Sequence, residues 1–162
     1  MQIPEKKDFY LNASNSEMDI TYAINKYLGK NHKEIIEYIE IHSIFWFLEN
    51  ISYIGLNAYF YYIIPLLSYI KNQSKYWDDN YDNFDGRNID DDAPLAYSIL
   101  PREIGKKINE FPVEMKLYLN ENILEFFEWA ILNHDKFNKE CFFEDNIKQD
   151  YIDLVCKIKE IN

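Results

Sequence analysis

The longest uncharged run of this chain covers residues 50–70 and sets the first constraint on its fold. A run of this length is long enough to cross a bilayer. Its composition argues against a span, because transmembrane helices are rich in aliphatic residues and carry tyrosine mainly at their ends. Here Tyr61 and Tyr62 lie in the middle, and Pro65 follows them. We therefore predict the central buried helix of a globular bundle, with tyrosine hydroxyls hydrogen-bonded across the core. Pro65 is predicted to kink this helix near Tyr61 to Ile64.

Apolar residues recur at helical spacing on both sides of this run. The positions predicted to face inward are Ile20, Ala23, Ile24, Tyr27 and Leu28 in the first helix, and Ile147, Tyr151, Leu154, Val155 and Ile158 in the last. Gly29 stands where a helix-ending glycine belongs, and Asn31 with Glu34 forms a capping pattern. Residues 43–48 are apolar on all sides and are predicted to be buried.

These signals predict an all-α fold. Four glycines and five prolines in 162 residues disfavour a turn-rich β-sandwich or barrel, and no period-2 alternation is sustained. We expect one domain, residues 1–162, built as a compact helical bundle of about six helices. An acidic, aromatic-containing loop is predicted near residues 72–93.

The charge balance limits the partners that this surface can bind. The sequence has 28 acidic and 17 basic residues, a formal net charge of −11. Nucleic acids and anionic membranes both require a positive field, so we expect neither as a partner. A basic protein is the complementary partner.

Residues 78–92 concentrate this charge, with seven aspartates and one arginine. Such a run is typical of a solvated loop. Aromatic residues interleaved with the carboxylates favour instead a binding patch, in which rings anchor a partner and charge steers it. The predicted partner-binding residues are Trp77, Asp78, Asp79, Tyr81, Asp82, Phe84, Asp85, Asp90, Asp91 and Asp92.

The same stretch can be aligned with an EF-hand calcium loop through Gly86. The alignment places Asn83 and Asp85 at ligand positions, but it puts Tyr81 at position one, where aspartate is needed. The stretch therefore fits weak calcium binding better than a specific calcium loop.

Catalytic and cofactor signatures are missing from the sequence. The three histidines form no Glu-x-x-His or HExxH pair, and no glycine-rich phosphate loop or GxSxG motif is present. Cys141 and Cys156 form no metal-binding spacing and are expected as buried, reduced thiols of a cytoplasmic protein. We predict no enzyme activity, no cofactor and no metal.

Two segments carry a resemblance to a known group of proteins. Residues 47–52 running into 58–67, and residues 119–127, resemble phrases of small helical immunity proteins from bacterial contact-dependent inhibition and other polymorphic toxin systems. The two segments cover about a quarter of the chain, and the acidic stretch between them has no counterpart. The resemblance implies a cytoplasmic protein that binds and blocks a cognate toxin domain.

We therefore expect an acidic inhibitor of a basic toxin, most naturally a nuclease, whose active site is built to receive phosphate. Two alternatives stay open on the residues alone. One is a helical metal-binding or enzymatic bundle protein, and the other is a homodimeric structural subunit.

Overall fold

The computed structural model describes residues 1–13, 17–74, 93–111, 121–137 and 146–161, without the side chains of residues 121, 122, 136, 137 and 161. Its elements are a short 3-10 turn Lys6–Phe9 followed by α1 Glu17–Tyr27, α2 His32–Ile41, α3 Ile44–Ser52, α4 Leu56–Gln73, α5 Ala93–Glu110, α6 Glu121–Phe137 and α7 Ile147–Ile161. The described ranges contain no strand. The all-α prediction is confirmed, with seven α-helices in the described part of the chain where about six were expected.

The chain divides into two compact units, Met1–Tyr69 and Ile70–Asn162, and the division falls inside α4. The prediction of a single domain for residues 1–162 stays a prediction. Within the described ranges, no helix has the length and apolar character that a membrane crossing requires.

The first unit is organised around buried tyrosines. Tyr27 is fully buried at the end of α1, and its ring meets the rings of Tyr38 and Phe47 edge-on at centroid distances of 5.4 and 5.2 Å. The hydroxyl of Tyr62, in α4, donates a 2.6 Å hydrogen bond to the Tyr27 backbone carbonyl. The predicted pairing of tyrosine hydroxyls across the core is confirmed for this residue.

The N-terminal segment is held against the start of α4. Gly55 donates its backbone N–H to the Phe9 carbonyl at 2.8 Å, and the Asn57 side chain donates to the Asp8 carboxylate at 3.0 Å. Phe9 is fully buried. A Cβ at Gly55 would lie 2.3 Å from the Leu11 carbonyl oxygen, so the close approach requires glycine.

Pro65 lies inside α4, and the helix continues through it. Proline lacks the N–H that would bond the carbonyl four residues earlier, which is that of Tyr61. The His32 ring packs against the Tyr61 ring at a centroid distance of 4.4 Å. Burial lowers the pKa of His32. The predicted kink near Pro65 stays a prediction.

The second unit also has a buried polar cluster. The Tyr151 hydroxyl of α7 donates a 2.7 Å hydrogen bond to the Tyr97 carbonyl of α5. The Tyr97 hydroxyl in turn donates to the Ala130 carbonyl of α6 at 3.2 Å and lies 3.1 Å from Nδ1 of His134. Burial lowers the pKa of His134 and so favours its neutral form. These contacts join three helices, so the cluster is structural.

Candidate functional site

The predicted partner-binding residues lie outside the part of the chain that the structure describes. They are Trp77, Asp78, Asp79, Tyr81, Asp82, Phe84, Asp85, Asp90, Asp91 and Asp92. The calcium-loop alignment lies outside them as well. In sequence, this stretch follows the end of α4 and precedes Ala93, the first residue of α5.

The described residues offer no metal centre. Within the described ranges, no group of three or more His, Cys, Asp or Glu side chains is arranged to hold a metal ion. His134 is engaged with Tyr97, as described above. Cys141 lies outside the described residues, and Cys156 is exposed rather than buried, so the expectation of buried thiols is wrong for Cys156. Its position on α7 turns the thiol away from the inward face.

An open groove lies at the surface of the first unit, and we call it the Trp46 groove. It has a volume of about 570 Å³, and its lining comes from α1, α2, α3 and the link between α2 and α3. The lining residues are Met18, Asp19, Tyr22, Tyr38, His42, Ser43, Trp46 and Asn50.

The groove arises because α1 has apolar residues on two faces. Ile20, Ala23 and Tyr27 follow helical spacing and are buried. Met18 and Tyr22 fall off that stripe and lie at the surface, with Met18 78% exposed. The helix therefore buries one apolar face and presents a second to solvent.

Helix α3 contributes the largest exposed ring. Ser43 caps the helix by accepting a long hydrogen bond, 3.5 Å, from the Trp46 backbone N–H. Ile44, Phe47, Leu48 and Ile51 then point inward and are buried. Trp46 points outward and is 61% exposed. The prediction that residues 43–48 are buried throughout is wrong at Trp46, because a single helix cannot turn every side toward one core.

Tyr38 connects the lining of the groove to the core. Tyr38 lines the groove and also packs against two buried rings, Tyr27 and Phe47. On its other side, Tyr38 lies 4.2 Å from the His42 ring, centroid to centroid. Tyr38 therefore belongs to a packed network, and this part of the lining needs little ordering when a partner binds.

The lining of the Trp46 groove has one charged residue, Asp19. Glu17 at the start of α1 and Glu49 of α3 are further acidic residues of the helices that form the groove. Lys26 lies near one lining ring, with its ammonium 5.6 Å from the centroid of Tyr22. A cationic group that enters the groove would meet the Asp19 carboxylate.

The sequence contains the residues of this surface, but helical periodicity alone does not single them out as a binding site. Met18, Tyr22 and Trp46 are large apolar residues at positions off the inward stripes of their helices. Scattered exposed hydrophobic residues are ordinary. Their significance here is that α1 and α3 bring them to one groove, which only the tertiary structure reveals.

Comparison with known proteins adds no relative: the chain matches no protein-family model, no curated protein and no solved structure.

Proposed function

We propose that this protein is an acidic inhibitor of the immunity type, which binds a basic toxin domain and blocks its active site. The observation that carries the proposal is the Trp46 groove: an exposed tryptophan, tyrosine and methionine in one lining with the Asp19 carboxylate, in a chain of net charge −11. Tryptophan and tyrosine are the residues that most often anchor protein interfaces. Apolar groups grouped at a surface mark a site of interaction.

The charge and the aromatic residues have separate roles in this proposal. The negative field attracts a basic partner over long range and raises the association rate. The aromatic side chains lose their remaining contact with water in the complex and slow its dissociation. A nuclease is the toxin class that fits best, because an active site that receives phosphate also attracts carboxylates.

The acidic stretch 78–92 is the second surface in the proposal. Its seven aspartates would occupy the phosphate-binding positions of a nuclease, with Trp77 and Phe84 as anchors. Changing Asp78, Asp79 and Asp82 to asparagine is expected to slow association and to flatten its salt dependence. Trp77→Ala or Phe84→Ala is expected to speed dissociation at least tenfold. Wild-type rates in both sets would place the contact elsewhere.

The deciding experiment is neutralisation of a toxin in the cell. The candidate is a basic domain at the end of a large reading frame beside this gene, expressed with and without the chain. Restored growth, together with a purified one-to-one complex, supports the proposal. Growth that stays arrested, with no complex detected at low salt, contradicts it.

Two measurements separate the proposal from its alternatives. A stoichiometric metal in the purified protein would favour the metal-binding or enzymatic alternative. The exposed Trp46 groove also suits self-association, so light scattering coupled to gel filtration tests the homodimer. A concentration-independent monomer excludes it.

A further inference from the structure

We propose that the Trp46 groove binds a lysine or arginine side chain of a basic partner protein, with the Trp46 ring against the cation and the Asp19 carboxylate beside it. This inference rests on the proposed function and names the chemistry of the partner at one site. It also places a contact outside the acidic stretch 78–92.

The groove has the two ingredients that recognise an organic cation. The face of a tryptophan ring attracts an ammonium or guanidinium group that lies within about 6 Å of its centroid. Trp46 is 61% exposed, and Tyr22 and Tyr38 line the same groove. Asp19 adds a formal negative charge to the lining, which strengthens the preference for a cation over a neutral group.

The chain itself shows this contact at two other rings. Lys26 lies 5.6 Å from the centroid of Tyr22, and Lys71 lies 5.8 Å from that of Trp129. In the part of the chain that the structure describes, no lysine or arginine lies over Trp46. A ring of the preferred type is therefore exposed without a cation from its own chain.

The charge of the surroundings selects the class of partner. Residues 1–69 contain eight carboxylates against five lysines, and α3 contains no basic residue. An anionic lipid or nucleic-acid phosphate would be repelled from this surface. A basic protein segment brings the cation and is attracted by the same field.

The experiment uses the full chain labelled with 5-fluorotryptophan and observed by fluorine NMR. The three tryptophans, Trp46, Trp77 and Trp129, report separately on the groove, the acidic stretch and an internal reference, and single Trp→Phe variants assign them. The probe is a hexa-arginine peptide. The matched control is a hexa-citrulline peptide, which has the same shape without the charge.

We expect a saturable shift of the Trp46 resonance with hexa-arginine and none with hexa-citrulline. Asp19→Asn should weaken the affinity measured at Trp46 at least fivefold. Glu160→Gln, which removes an exposed carboxylate of α7, should change it less than twofold. Circular dichroism of each variant checks that the fold is kept.

Four results would overturn the inference. The first is a shift of the Trp77 resonance alone, and the second is no shift of any tryptophan resonance. The third is an equal shift of the Trp46 resonance with both peptides. The fourth is a shift of the Trp46 resonance with protein concentration before any peptide is added, which identifies a second copy as the occupant. Toxin neutralisation distinguishes this failure from failure of the proposed function. Restored growth with an unresponsive Trp46 overturns the inference alone, and a responsive Trp46 without restored growth overturns the proposed function alone.

Discussion

The hydroxyl of Tyr62 donates a hydrogen bond of 2.6 Å to the backbone carbonyl of Tyr27. This carbonyl lies at the end of α1, where helical carbonyls lack intrahelical donors. It also accepts the Lys30 N–H at 3.0 Å, just after Gly29 turns the chain with a φ of 81°. A side chain from the middle of α4 thus completes the end of α1.

Removing this hydroxyl should weaken the fold measurably. Tyr62→Phe leaves the ring in place and deletes one buried hydrogen bond, while the Lys30 N–H still satisfies the carbonyl. We expect a loss of about 1 kcal/mol in the free energy of unfolding, measured by urea denaturation. Tyr10→Phe, at an exposed tyrosine, is the control and should stay within about 0.5 kcal/mol of the wild type. Equal stability of all three proteins would contradict the structural role.

Truncation of a buried residue of α4 and truncation of Trp46 should change the stability of the protein by different amounts. Phe60 is fully buried, so Phe60→Ala leaves a cavity and should cost about 3–5 kcal/mol. Trp46→Ala removes a mostly exposed ring and should change stability by less than about 1 kcal/mol. The midpoints of thermal or urea unfolding compare the two variants. A loss at Trp46 as large as that at Phe60 would mean that Trp46 belongs to the core.

Replacing a glycine with alanine should change the stability of the protein in opposite directions at two positions. At Gly55, the new Cβ would lie 2.3 Å from the Leu11 carbonyl oxygen and 2.4 Å from that of Asp8. Both are backbone atoms and cannot rotate away, so Gly55→Ala should cost about 2–3 kcal/mol. Gly105, inside α5, has nothing within 4 Å of the added Cβ. There alanine should stabilise by about 0.5–1 kcal/mol. Urea denaturation measures both, and a neutral Gly55→Ala would contradict the close approach.

Alkaline pH should unfold the protein through its buried tyrosines. Burial raises the pKa of Tyr27, Tyr62, Tyr97 and Tyr151 above their ordinary value. The unfolded phenol ionises near pH 10, so the folded state binds more protons above that pH. The stability that these groups contribute is fully present below about pH 10 and is lost as the pH rises further.

Absorbance at 295 nm, followed from pH 9 to 12 beside circular dichroism, tests this. We expect part of the tyrosine signal to appear only when the helical signal collapses. The Tyr151→Phe variant should lose less stability between pH 9 and 11 than the wild type does, because it has one buried phenol fewer. Complete ionisation of all 14 tyrosines near pH 10, with the helices intact, would contradict the burial.

The sequence by itself determined most of the local structure. Asn31 and Glu34 form the predicted capping box, and Gly29 has the predicted left-handed conformation. All five positions predicted to face inward on α7 are buried, namely Ile147, Tyr151, Leu154, Val155 and Ile158. Capping and helical periodicity depend on residues within four positions of each other, so they can be read from the chain directly.

Some local predictions failed at the edges of elements. Leu28 was expected to face inward but is 41% exposed, because α1 ends at Tyr27 and the turn at Gly29 redirects the chain. Ile24, expected on the same face, is half-buried. Helical periodicity in the sequence can continue past the residue where the helix ends, because it does not show which residues pack against the chain beyond that point.

Only the tertiary structure decided which apolar residues stay in solvent and which distant groups meet. The sequence marked Tyr62 as buried and polar, but it could not select the Tyr27 carbonyl as its partner. It likewise placed Trp46 in an apolar segment without showing that Ile44, Phe47 and Leu48 take the inward face. The physical reason is that the side chains within a unit compete for burial in its interior, and the outcome depends on how the helices of that unit pack.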